Sequence, residues 1–161
     1  MKWITEYFIK NALKEVSPVK KKQLSADQIK SIGIIAPSLV ELDETSAAIV
    51  PILGHQLKVT GLFYGEGSEA KQAFSHKDFS FSGKPKNIVA EFINNKVDLI
   101  IASEEKLNIF SLYLLYLNPQ SYSVGFYDKS HTPYLDLMVA REDLDHKQNI
   151  ENLLKYLKQV I

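Results

Sequence analysis

The sequence predicts an α/β protein: one three-layer domain on a mostly parallel, open sheet of about five strands, with an antiparallel last strand pair and an extra N-terminal helix. Three observations predict it. Residues 97–126 (VDLIIASEEKLNIFSLYLLYLNPQSYSVGF) read as a buried strand, an apolar helix and a second strand. Parallel sheets are built from such units, because their crossover helices must be laid across a face. Strand-like and helix-like patterns alternate over the rest of the chain from residue 31 onwards. Lastly, 161 residues that are 45% hydrophobic and 24% charged can bury one sizeable core without staples.

The elements follow in order. Residues 1–16 form an amphipathic helix, with Ile4, Phe8 and Leu13 at helical spacing beside Trp3 and Tyr7 and lysines between them. Ser17-Pro18 ends it, and a basic run, Lys20-Lys21-Lys22, follows. Residues 1–30 are thus read as this helix and a basic linker, and 31–161 as the α/β domain. Ser31–Ala36 (SIGIIA) is the first strand. Asp43 or Thr45 would cap a helix running to Leu57, in which Pro51 implies a kink or a late start. Lys58–Tyr64 (KVTGLFY) is the second strand, where Gly61 marks a weak spot or a close approach. The irregular segment 65–83 is long for an α/β connection. Within it Phe79 and Phe81 alternate with serines as a short strand or extended edge. Residues 84–95 are a helix with Pro85 in its first turn.

Residues 97–102 are the central strand. Its run Leu99-Ile100-Ile101-Ala102 does not alternate, as expected when both faces are covered. Ser103 is the expected cap of the next helix, 106–117, with Glu104 and Glu105 favoured by its dipole. That helix is apolar nearly all round, so it is packed deeply or offers a face to a partner. Residues 121–126 and 134–140 are the last two strands. The turn between them is too short for a helical crossover, which predicts an antiparallel pair. Residues 145–160 close the chain as an amphipathic helix. The whole reads as Rossmann- or flavodoxin-like.

Composition excludes several function classes. There is no cysteine, hence no disulfide, thiolate nucleophile or cysteine metal site. No apolar run approaches the ~20 residues that cross a bilayer, and Glu6, Lys10 and Lys14 interrupt any secretory signal. A cytoplasmic location is the expectation. The net charge is zero, yet residues 1–30 hold seven lysines against Glu6, Glu15 and Asp27. Of the 19 basic residues only Arg141 is arginine. Bidentate recognition of phosphate or guanine favours arginine, so nucleic acid is not an expected partner.

Candidate sites belong at the carboxyl ends of the strands, where open α/β sheets bind ligands. There stand Ala36-Pro37-Ser38, Tyr64-Gly65-Glu66-Gly67, Ser103-Glu104-Glu105 and Tyr127-Asp128-Lys129. No glycine-rich phosphate motif occurs, and no cofactor is expected. Glu41, Asp43, Glu44, Glu104 and Glu105 would repel a phosphate at two helix starts. The exception is Ser82, Gly83, Lys84 and Lys86, where glycine and two lysines open a helix and an anion could be received. Glu41, Asp43, Glu66 and Glu104 could hold Mg²⁺ by position alone, but they explain equally well as caps and loop charges, and no metal site is assigned. His55, His76, His131 and His146 show neither ligand spacing nor a triad, and no catalytic residue is assigned. Asp136, between Leu135 and Leu137, reads as an edge-strand charge ahead of a buried acceptor paired with Lys or Tyr.

Four short patterns carry a resemblance: Phe79-Ser80-Phe81-Ser82-Gly83-Lys84-Pro85, Val97-Asp98-Leu99-Ile100-Ile101, Val124-Gly125-Phe126 and Leu135-Asp136-Leu137-Met138. Over about residues 30–145 the chain resembles a family of uncharacterised bacterial α/β proteins with no assigned activity. That resemblance implies a fold and transfers no catalytic residue. A fainter likeness is to the N-terminal Rossmann-like half of heptosyltransferase-type glycosyltransferases, whose second, nucleotide-sugar-binding domain has no counterpart here. The functional expectation is therefore a binding or association module without catalysis. It would pair with a protein partner or a second copy through the N-terminal helix or the 107–117 helix. The alternatives are a small-ligand-binding or glycosyltransferase-like enzyme domain with its site at the carboxyl ends of the strands, and peripheral attachment to a membrane surface through residues 1–22. The membrane reading ranks lower because three lysines fall short of the usual polybasic cluster of ~4–8.

Overall fold

A computed structural model describes residues 1–17 and 22–161. Most of the basic run, Lys20 and Lys21, therefore lies outside the described residues. The described residues form six strands and five α-helices: α1 (Lys2–Lys14), β1 (Ser31–Ala36), α2 (Leu39–Leu53), β2 (Lys58–Tyr64), β3 (Ala73–Phe74), α3 (Asn87–Asn94), β4 (Leu99–Ala102), α4 (Ile109–Tyr116), β5 (Tyr122–Phe126), β6 (Leu137–Val139) and α5 (His146–Val160). The strands make one sheet in the order β3-β2-β1-β4-β5-β6, and every pair is parallel.

Two expectations are corrected here. The sheet has six strands rather than about five, because Ala73–Phe74 adds a short edge strand beside Phe63 and Tyr64. Phe79 instead makes a single antiparallel bridge to Pro85. The last two strands are parallel, not antiparallel. Their connection, residues 127–136, makes a crossover with only one 3₁₀ turn, Lys129–His131. Tyr134 and Leu135 fill the layer where a helix would lie, packing into the same core cluster as α4. Two successive right-handed steps in one direction require that shared face. The economy is possible because the strand reached is only three residues long.

Helices cover both faces. On one side α1, α3 and α4 pack over Ile35, Leu62 and Ile100. On the other, α2 and α5 pack over Ile32, Ile34, Leu99 and Ile101. β4 divides its side chains between both layers and is wholly buried. Two glycines admit close helices. A Cβ on Gly33 would stand 2.7 Å from the Phe92 ring of α3, and one on Gly61 would meet Leu42 of α2.

The caps explain where the helices begin. Ser38 Oγ accepts from the Glu41 amide at 3.3 Å, so α2 starts at Leu39, ahead of the expected caps. Thr45 is buried inside it and donates back to Glu41 O. Pro51 falls in its last turn, where it removes one i→i−4 bond without breaking the helix before Leu53. Asn108 Oδ1, not Ser103, caps α4 by accepting from Ser111 N at 2.9 Å. Residues 103–108 are thereby released from the helix as a loop at the carboxyl end of β4. α4 itself is buried along residues 110–115, with Tyr116 exposed.

Candidate functional site

With strand order 3-2-1-4-5-6 the topological switch point lies between β1 and β4, where successive connections leave on opposite faces and open a crevice. The structure has a crevice of about 520 Å³ at that place. Pro37 and Glu41 line it from the end of β1 and the first turn of α2, and residues 103–106 from the end of β4. Asp128 contributes from beyond β5, Arg141 from the segment joining β6 to α5, and His146 from the first residue of α5. Two larger clefts exist, one of about 710 Å³ between α2 and α5 and one of about 630 Å³ beside the ends of α1 and α4. Neither lies at the strand ends, and neither is lined by an unpartnered buried polar atom.

That criterion distinguishes the crevice. Among the described residues six buried side-chain N or O atoms have no hydrogen-bond partner, and three of them belong to residues that line this one crevice: Ser103 Oγ, Glu104 Oε2 and His146 Nδ1. Buried polar atoms in folded proteins are ordinarily satisfied, and an orphan costs roughly 1–3 kcal/mol. Ser103 is fully buried. Its amide extends the ladder onto Ile35 O at 2.9 Å, fixing it between β1 and β4. His146 Nε2 donates to Ser103 O at 3.3 Å, so Nε2 carries a proton. Its Nδ1 faces Glu44 Oε1 at 3.5 Å, an ion-pair distance without hydrogen-bond geometry. Burial, followed by the charge of Glu41, pushes the Glu104 carboxyl up to about 7, against a restraining hydrogen bond from the Asn108 backbone. The proton is thus held well above the usual carboxylate range. Across the crevice the Ser130 hydroxyl and amide hold Asp128 below the usual carboxylate range. Arg141 lies over the Phe126 ring at 4.9 Å. It makes no hydrogen bond or ion pair to any described residue.

Two buried polar residues hold this constellation in place. His131, expected in an exposed loop, is fully buried. Its Nδ1 donates to Phe126 O at 2.8 Å, and its Nε2 accepts from the Leu107 amide at 3.0 Å. The neutral ring thereby ties the 103–108 loop to the β5–β6 crossover. Asn149 does the same for the other wall. Its Nδ2 donates to the carbonyls of Glu142, Leu144 and Asp145, and its Oδ1 accepts from Glu142 N.

The sequence-derived candidates scatter. Glu41 and Glu104 meet in the crevice, whereas Asp43 lines the α2–α5 cleft. Glu66 is engaged elsewhere by Tyr64, Lys2 and His76. No three His, Asp or Glu among the described residues are placed to hold a metal ion. Ser82, Gly83, Lys84 and Lys86 form the turn before α3 and do not line the crevice. Their amides serve the turn: Gly83 N donates to Ser80 O, Lys84 N to Ser80 Oγ and Lys86 N to Asp78 O. Sequence reasoning missed Arg141, His146 and Lys106. The signal it held and did not use was the solitary arginine directly after a strand.

The model of a family of unknown function (DUF6913) matches residues 2–160, and the chain belongs to that family. The match takes in α1 as well as the sheet. No curated protein matches, and no solved structure matches. The likeness to heptosyltransferase-type glycosyltransferases finds no counterpart in these comparisons. Among the described residues no helix is long and apolar enough to cross a membrane.

Proposed function

We propose that this member of a family of unknown function binds a small polar ligand in the crevice at the carboxyl ends of β1, β4 and β5. The observation that carries the reading is the convergence there of two unpartnered buried atoms, Ser103 Oγ and Glu104 Oε2, beside His146, whose Nδ1 has no hydrogen bond and only an ion-pair contact with Glu44 at 3.5 Å. A rigid scaffold that leaves its donors and acceptors unpaired in one concavity is preorganised to receive a ligand's complementary groups. The ligand is small, because the crevice is about 520 Å³. It is not a dinucleotide: four carboxylates, Glu41, Glu104, Glu105 and Asp128, line the space, and no glycine-rich loop opens α2. The test is an amide-resonance titration with a library of small polar metabolites. Binders should perturb residues 103–108 and 141–146 and lose affinity in Glu104→Gln. Binders that perturb other surfaces only would remove the reading.

A second reading has one observation in its favour. α1 buries Thr5 and Ile9, while Trp3 and Tyr7 are 66% and 59% exposed on its outer side, beside exposed Lys10 and Lys14. Aromatic rings among lysines suit an anionic membrane surface. Co-sedimentation with phosphatidylserine vesicles, lost in Trp3→Ala/Tyr7→Ala, is the expected result. Equal sedimentation of the double variant would dismiss it.

A further inference from the structure

We infer that the ligand of the β1/β4 crevice is a small amino-carboxylate zwitterion, held by its carboxylate on Arg141 and by its ammonium on Glu104 and Ser103. The inference rests on the crevice reading above and adds the chemical class. Arg141 is the only arginine in the chain. It follows β6 by two residues, and its Cζ lies over the ring of Phe126, 4.9 Å from the centroid; Phe126 ends β5 and is buried. That cation–π contact holds the guanidinium at the crevice wall while its N–H fork stays unpaired among the described residues. A planar, oriented fork matches a carboxylate through two parallel hydrogen bonds. Another wall of the same crevice presents the opposite polarity. There Glu104 Oε2 and the fully buried Ser103 Oγ lack partners, and Glu41 adds negative charge. Two unpartnered acceptors beside a further carboxylate charge suit the donors of an N–H₃⁺ group.

Other classes fit less well. A bare divalent ion would need a cluster of ligands that the described residues do not form. A phosphate ester would bring extra negative charge against Glu104 and Glu41. A neutral sugar would leave the Arg141 fork without a counter-charge. Only a ligand carrying both signs answers both walls.

The experiment titrates the full chain with glycine, L-alanine, L-serine and L-glutamate, following amide resonances. The same skeletons are then offered as N-acetyl derivatives, which lack the ammonium, and as C-terminal amides, which lack the carboxylate. At least one free amino acid should saturate below about 10 mM, with each blocked form weaker by about tenfold or more. Arg141→Lys should weaken the free acid on the order of tenfold and leave the amide form unchanged, since lysine keeps the charge but loses the fork. Blocked forms that bind as well as the free acid overturn the inference. If no amino acid binds but a neutral polyol saturates with shifts at residues 103–108, the zwitterion falls and the crevice reading stands. If no probe of any class perturbs residues 103–108 or 141–146, both fall.

Discussion

At the scale of single residues, Glu104 ties stability to binding. Its carboxyl is raised from 4.5 to about 7 by burial and by Glu41, so the folded chain holds that proton more tightly than the unfolded chain. The stability it contributes is fully present below about pH 4.5 and is lost as pH rises through about 7. Glutamine cannot ionise. Glu104→Gln should therefore match the parent near pH 4 and exceed it near pH 8 by about 1–2 kcal/mol, well short of the full shift because the group is partly exposed. Urea unfolding at both pH values checks this, and an equal gain at both would point to packing instead of charge. The charged and titratable groups that line the crevice with Glu104 are Glu41 from α2, Glu105 and Lys106 from its own loop, Asp128 after β5, and Arg141 and His146 beyond β6. Of these, Glu41 is the one whose charge is felt at its carboxyl, so Glu41→Gln should bring the transition to lower pH. His131 works through geometry. Its removal leaves the Leu107 amide and the Phe126 carbonyl without partners, and His131→Ala should cost about 2–4 kcal/mol. Because that ring anchors the 103–108 loop, amide exchange there should accelerate more than in α5.

At the scale of elements, β6 decides how much of the site could be read in advance. The strands Ser31–Ala36 and Lys58–Tyr64 were legible to the residue, and the buried run of β4 announced itself by failing to alternate. Ser103, Glu104 and Asp128 followed from the rule that ligands sit beyond strand carboxyl ends. Arg141 and His146 did not, because an antiparallel last strand would end at the opposite edge and carry Arg141 away from Glu104. Chain length between strands was the misleading evidence: it suggests a hairpin unless an irregular segment can supply its own packing, as Tyr134 and Leu135 do. Asp136 was misread for the same reason. It is no edge charge but a buried carboxylate at the start of β6. It accepts from Ser123 N at 2.9 Å and from Ser123 Oγ at 3.2 Å, and pairs with Lys22 Nζ at 3.3 Å. Those bonds fasten β6 to β5 in parallel and secure the linker after α1. Asp136→Ala strands the Ser123 amide and takes the counter-charge from Lys22, and should destabilise by about 2–4 kcal/mol. Thermal unfolding measures the loss, and an effect under about 0.5 kcal/mol would mean that the crossover holds without it.

At the scale of the whole molecule, the question is whether residues 1–30 form a unit apart from residues 31–161, as the change in charge at residue 30 suggests. Packing argues for continuity. Ile9 of α1 is fully buried, with Ala12 and Leu13 packed against the cluster that holds α4. The start of the helix is tethered separately. Lys2 Nζ lies 3.0 Å from Glu66, whose carboxylate also takes hydrogen bonds from the Tyr64 hydroxyl and His76. With the Tyr64 bond foremost, these contacts draw the Glu66 carboxyl down to about 2. What that group contributes is present above about pH 4.5 and is lost only as pH falls towards 2. A helix held by a buried aliphatic side chain at its middle and an ion pair at its start shares the cooperativity of the domain it covers. Ile9→Ala should therefore lower the stability of the entire chain by about 2–4 kcal/mol. Amide exchange in β4 and α4 should accelerate along with that in α1, with one transition seen by tryptophan fluorescence at Trp3 and by circular dichroism of the sheet. If Trp3 reports an earlier transition while the sheet signal keeps the parent midpoint, α1 is an appendage and the two-unit division holds.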